Sequence, residues 1–155
     1  MNASGHLDDS QLLAELDISP ERSSAWDRLL ALADEFAACP HAADDVRWQL
    51  PLERPDGSIT FAYPIYSERV EQAYRALAQV GAVSRTYKWM GQPTPTLSDE
   101  GAPLSVADAL RLATATSRGE RFGDGTIGTA VADGTLQTVL AALAAWYRDQ
   151  PRRTA

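Results

Sequence analysis

Apolar positions recur at two different spacings along this chain, and the helical one dominates. Leu12, Leu13 and Leu16 share one face of a short helix over Gln11–Leu16, with Asp9 or Ser10 as its cap. Pro20 fits the first turn of a second helix, with Ser23 or Ser24 as alternative caps. Trp26, Leu29, Leu30, Ala33, Phe36 and Ala37 then carry that helix to Ala38, before Pro40. Ser67 caps a third stripe of Val70, Ala73, Tyr74, Leu77 and Val80 that ends at Gly81. Ser105 caps a fourth, with Val106, Ala109, Leu110 and Ala113 turned inward. A short helix over Thr126–Ala132 stops at Asp133-Gly134, and Thr135–Arg148 carries Leu136, Val139, Leu140, Leu143 and Tyr147 on one side.

Between Val46 and Tyr63 the period falls to two. Trp48, Leu50 and Leu52 alternate before a Pro55-Asp56-Gly57 turn, and Ile59, Phe61 and Tyr63 alternate after it, which predicts a hairpin. Pro51 restricts that hairpin to an edge or a bulge. Three prolines, Pro93, Pro95 and Pro103, leave Ala82–Pro103 irregular. The pattern as a whole predicts an α+β fold, predominantly helical, with about five or six helices packed with one β-hairpin. One compact domain over residues 1–150 is expected, with residues 1–8 a frayed start and 151–155 a loose tail.

Composition changes this picture in a few places. With 155 residues, 45% of them hydrophobic, there is enough for one core and too little for two. The net charge of −7 argues against nucleic acid as a partner, because phosphates need a basic face. No apolar run is long enough to cross a membrane, and the acidic N-terminus carries no secretory pattern. Cys39 is the only cysteine, so an internal disulfide is excluded and a reducing cytoplasmic location is expected. Lys88 is the only lysine among many arginines, a bias that suits a GC-rich bacterium.

Chemistry-bearing residues are sparse. His6 and His41 are the only histidines, and Cys39 with His41 falls short of the four ligands of a structural zinc site. No metal and no cofactor is therefore expected, and Cys39 is expected to pack as a small hydrophobe at its helix end. Gly123-Asp124-Gly125-Thr126-Ile127-Gly128 has the letters of a dinucleotide motif, but a helix rather than a buried strand precedes it.

Two constellations remain as candidate sites. Arg118, Glu120, Arg121 and Asp124 crowd one turn at a helix start. Their arginine forks either hold an external anion or are neutralised by Glu120 and Asp124 as a corner brace. Tyr63, Tyr66 and Trp89, with Tyr87 and Met90 nearby in sequence, either line a ligand cleft or fill core.

The motif Tyr63-Pro64-x-Tyr66-Ser67 is followed by a helix, then Trp89-Met90, then Thr114-x-x-x-Arg118-Gly119-Glu120-Arg121-Phe122-x-Asp124-Gly125, and last Gly134 before a leucine-rich helix. These residues resemble the bacterial domain of unknown function 6508 family over roughly Trp26 to Arg148. The resemblance implies a shared fold in small bacterial cytosolic proteins, implies no reaction, and directs attention to the Arg118–Asp124 corner. Three functional classes stay open: a non-catalytic binding or interaction domain, which is preferred, an enzyme or binding protein for an anionic small molecule, and a structural homodimer.

Overall fold

The structure, a computed structural model, describes residues 8–97, 103–123 and 125–151. Six α-helices and one hairpin follow in the order α1 (Asp9–Leu13), α2 (Ser23–Ala38), β1 (Val46–Gln49), β2 (Tyr63–Tyr66), α3 (Glu68–Gln79), α4 (Val106–Gly119), α5 (Thr126–Ala132) and α6 (Thr135–Arg148). The fold is α+β and predominantly helical, as the periodicity requires.

The helix starts follow local chemistry. The Ser67 hydroxyl accepts from the Val70 amide and the Ser105 hydroxyl from the Asp108 amide, each satisfying one orphan donor of a first turn. Asp8, expected to be frayed, instead caps α1 and shares a reciprocal capping box with Gln11, so α1 begins and ends earlier than the leucine spacing suggests. Pro20 opens a separate 3-10 turn, Pro20–Arg22, ahead of α2.

The helices share one core. Trp26, Leu29 and Phe36 of α2, Val70 and Leu77 of α3, Leu110 of α4 and Leu140 and Leu143 of α6 are all buried within it. Tyr74, also expected there, is only partly buried, and its hydroxyl donates to Thr116 Oγ1 at 2.9 Å. Trp26 stacks on Tyr147 with 4.4 Å between ring centroids and a 4° angle between planes. Gly81 has φ +86, and a side chain there would drive a Cβ to 2.2 Å from the Glu15 carbonyl oxygen. Only glycine lets the end of α3 meet the chain after α1 this closely. Cys39 is exposed rather than packed as core.

The hairpin has the expected turn but a different body. Ordered pairing occupies its base, from Val46 opposite Tyr66 to Gln49 opposite Tyr63, and an isolated pair, Glu53 opposite Ile59, keeps the same register near the tip. Between them the ladder lapses around Pro51, which has no N–H to give. The predicted alternation buries nothing here. Trp48, Leu50, Leu52, Ile59, Phe61, Tyr63 and Ile65 are all exposed, and Phe61 is 90% exposed. The remaining large hydrophobics exposed among the described residues are Met90 and Phe122. The hairpin is thus an apolar arm projecting from a helical body.

Replacing Leu140, fully buried between α2 and α4, with Ala is expected to cost about 2–5 kcal/mol in chemical denaturation. A loss below about 0.5 kcal/mol would place α6 outside the core.

Candidate functional site

The chain between Thr114 and Gly125 turns the corner from α4 into α5, and distant side chains hold it there. Thr114 and Arg118 lie one turn apart on α4 and both reach Ser84, in the loop after α3. Thr114 Oγ1 accepts from the Ser84 amide at 2.8 Å, and Arg118 Nη2 donates to the Ser84 carbonyl at 2.8 Å. The Ser84 hydroxyl donates to the Glu15 carboxylate and accepts from the Tyr87 amide at 2.9 Å. Arg118 therefore meets a carbonyl rather than a carboxylate, and it fastens a loop rather than opening into a cleft. Its Nε is buried with no hydrogen-bond partner among the described residues.

Glu120 does the work of a helix cap. Its Oε2 accepts from the Ile127 amide at 2.8 Å, and its Oε1 accepts from the Gly125 amide at 3.2 Å and the Tyr66 hydroxyl at 2.5 Å. The Tyr66 oxygen in turn accepts from the Gly128 amide at 3.2 Å. One carboxylate and one phenol thus satisfy three amides at the start of α5 and tie it to β2. Burial, reinforced by the Glu120 carboxylate, pushes the Tyr66 hydroxyl well above the usual tyrosine range, so it stays a donor. An external anion would have to displace Glu120 from the helix end it needs.

The hairpin lies against α5 because two glycines let it. A Cβ at Gly125, which has φ +98, would come within 2.9 Å of the Trp48 ring, and one at Gly128 within 3.2 Å of Val46 Cγ1. The letters of the dinucleotide motif are therefore spent on close packing between a hairpin and a helix.

The other candidates are dispersed. Arg121 is exposed and forms no ion pair among the described residues. Asp124 lies outside the described residues. Tyr63 is exposed on β2, while Trp89 is half-buried with its ring 6.0 Å from that of Phe122. Tyr87 is buried, so the aromatics divide among arm, corner and core and form no common cleft. One cleft of about 420 Å³ opens between the arm's base and α5, beside His41, Trp48 and Thr129. Another of about 490 Å³ lies beside Thr94, Thr116 and Asp133. Neither is lined by Arg118, Glu120 or Arg121. Among the described residues no three of His, Cys, Asp and Glu gather as a cation would require.

The strongest polar site was not singled out from the sequence. Asp45 is 2% exposed, and its carboxylate accepts from Arg69 Nε at 2.7 Å, Arg69 Nη2 at 2.5 Å, the Ser67 hydroxyl at 2.9 Å and the Ala42 amide at 3.1 Å. Arg69 also donates to the Cys39 carbonyl at 2.9 Å and lies 4.0 Å above the Phe36 ring. Burial alone would push the Asp45 carboxyl up, but these donors outweigh it and hold it below the usual carboxylate range. Every acceptor site the arrangement offers is filled from within, so it is a fastening and not a catalytic centre.

A helical domain with one projecting apolar arm, and a corner whose most distinctive residues bond inward, is the class of protein these features define. The chain belongs to a family of unknown function, DUF6508, whose family model matches residues 21–149. No curated protein and no solved structure matches it. The matched span includes Ser84, Thr114, Arg118 and Glu120 and stops short of α1 and Glu15.

Two outcomes test the site as architecture. Glu120→Ala is expected to cost roughly 1–3 kcal/mol by stranding the α5 amides, and Glu120→Gln clearly less, because its amide oxygen still accepts. Equal losses would show that the cap is not the carboxylate's role. Asp45→Asn is expected to cost about 3–5 kcal/mol at neutral pH, since Arg69 keeps a buried charge without its partner. The folded carboxyl of Asp45 titrates below its unfolded value, so its contribution is present above about pH 4 and lost as pH falls through the folded value. Denaturant titrations at neutral and acid pH should therefore show a shallower acid loss for Asp45→Asn than for the native chain. An unchanged acid slope would remove Asp45 from the account.

Proposed function

We propose that the protein is a non-catalytic interaction domain whose contact surface is the hairpin arm. The observation that carries this is where large apolar side chains meet water: along the arm from Trp48 to Ile65, with only Met90 and Phe122 elsewhere among the described residues. The hairpin register sets Trp48, Leu50 and Leu52 on one face of the arm and Ile59, Phe61, Tyr63 and Ile65 on the other, and exposed apolar surface of this extent on a folded domain is a mark of an interaction site. The buried core beneath it contains no arm residue, and of the arm only Val46 and Tyr66, at its base, pack against that core.

A rival reading, an anion-binding pocket or enzyme at the Arg118–Asp124 turn, has less to support it. Arg118 is engaged with Ser84, and Glu120 fills the start of α5. Arg121 keeps a free guanidinium among the described residues, but neither cleft reaches it. The proposed setting is the bacterial cytosol, on the strength of a single cysteine and the arginine bias. Among the described residues no single helix is long and apolar enough to cross a membrane.

Placing a photo-cross-linking phenylalanine analogue at Phe61 in living cells tests the reading. Irradiation is expected to give a discrete protein adduct, while the same analogue at exposed Arg75 on α3 gives none. Adducts in equal yield from both positions, or none from Phe61, would overturn the arm as a contact surface. Phe61→Ser should leave stability within about 0.5 kcal/mol, which separates lost contact from lost folding.

A further inference from the structure

Away from the arm, Trp89 and Phe122 bring two segments together at the corner between α4 and α5. Their ring centroids stand 6.0 Å apart with planes inclined by 47°, so the loop after α3 lies against the turn after α4. Trp89 is half-buried, whereas its neighbour Met90 is 63% exposed and Phe122 is 74% exposed. Aromatic rings offer flat apolar area and a methionine thioether adapts its shape to what it meets. Neither exposed side chain completes the core.

The same contact gathers charge of one sign. Lys88 adjoins Trp89 in sequence, Arg121 adjoins Phe122, and Arg85 stands three residues before Lys88. All three cations are exposed, and none forms an ion pair among the described residues. The carboxylates that bond into this region are drawn inward. Glu15 accepts from the Ser84 and Thr86 hydroxyls, and Glu120 accepts from the Gly125 and Ile127 amides. The chain as a whole carries −7, so cations flanking an apolar patch stand out against their surroundings. Such a patch attracts a short acidic group, while the acidic remainder repels a long polyanion that would have to run across it. A short acidic segment with one apolar side chain meets both conditions. Its carboxylates face Arg85, Lys88 and Arg121, and its apolar side chain covers Met90 and Phe122.

We infer that the Trp89–Phe122 corner is a second contact surface, one that docks a short acidic protein segment anchored by an apolar side chain. It is separate from the arm and does not depend on it.

Met1 and Met90 are the only methionines, so methionine-methyl NMR of the full chain places one reporter in the patch. The probes are the peptide Ac-Asp-Glu-Phe-Glu-Asp-NH2, its basic counterpart Ac-Lys-Arg-Phe-Arg-Lys-NH2, and a short single-stranded oligothymidylate. The Met90 signal is expected to shift saturably with the acidic peptide, less so as salt rises, and to ignore the basic one. Reversing two charges together, Lys88→Glu with Arg121→Glu, should weaken acidic-peptide binding at least about tenfold. Phe122→Ser should weaken it too, whereas Lys88→Arg and the arm variant Phe61→Ser should leave it unchanged. All of these variants should unfold at the native denaturant concentration, since every position is exposed. No Met90 shift up to about 1 mM acidic peptide overturns the inference. An equal response to both peptides does so as well, as does an acidic response that survives the double reversal. Tighter binding of the oligothymidylate than of the acidic peptide also overturns it, and hands the patch to nucleic acid, whose bases stack on aromatic rings.

Discussion

The buried Asp45–Arg69 pair is the fastening on which the placement of the arm depends. Asp45 stands just before β1, Ser67 just after β2, and Arg69 in the first turn of α3. The Asp45 carboxylate joins all three, its carbonyl accepts from the Ser67 amide at 3.0 Å, and Arg69 carries the connection on to the end of α2 through the Cys39 carbonyl. The same Ser67 hydroxyl caps α3, so the residue that starts the helix also closes the hairpin's base. A buried ion pair is weak evidence of net stabilisation against an apolar alternative. Its evident effect here is geometric: the two strand ends must leave the body at one point and in one direction.

Two further polar knots complete the frame. Ser84 gathers Glu15, Thr114, Arg118 and the Tyr87 amide, so the irregular chain after α3 is fixed without any regular element of its own. Glu120 and Tyr66 bind the start of α5 to β2. Thr114, Arg118, Gly119 and Glu120, the core of the family-like stretch, are thereby accounted for as architecture. Gly119 belongs to this set because a Cβ there would meet Thr126 Cγ2 at 3.1 Å. Arg121 and Phe122 are the members that face outward, Phe122 being 74% exposed.

How much of this was legible in the sequence depended on how local each signal is. The serine caps of α3 and α4 and the limits of α5 and α6 follow from neighbouring residues, and they fall where spacing and capping put them. The Asp56-Gly57 turn was equally local, and the Asp56 carboxylate accepts from the Ser58 amide at 2.9 Å. Asp45 carries no such mark, since its partner is 24 residues away, and the Glu15–Ser84 contact spans 69. An isolated aspartate or serine looks the same on a surface and in a knot until the helices are packed. The corner could be located but not interpreted. Arginine beside glutamate suggests mutual neutralisation, whereas Arg118 and Glu120 each bond to backbone and form no ion pair with one another.

The arm shows where periodicity misleads for a physical reason. Alternation of apolar and polar residues reports a strand with two unlike faces, and a soluble body usually covers the apolar one. Here the body ends at α5, where Val46, Trp48 and Tyr66 meet Gly125 and Gly128, and none of the described residues covers Leu50 and Leu52 on one face or Phe61 on the other. The alternation is therefore not an imperfect core strand but a surface made apolar at a distance from the core. Such a surface loses little from the fold when altered and draws on water's aversion to it only when something else covers it. The stabilising duty of the arm is confined to its base, where Val46, Trp48 and Tyr66 meet α5, while from Leu50 to Phe61 its exposed side chains stand apart from the buried polar knots that fix the body.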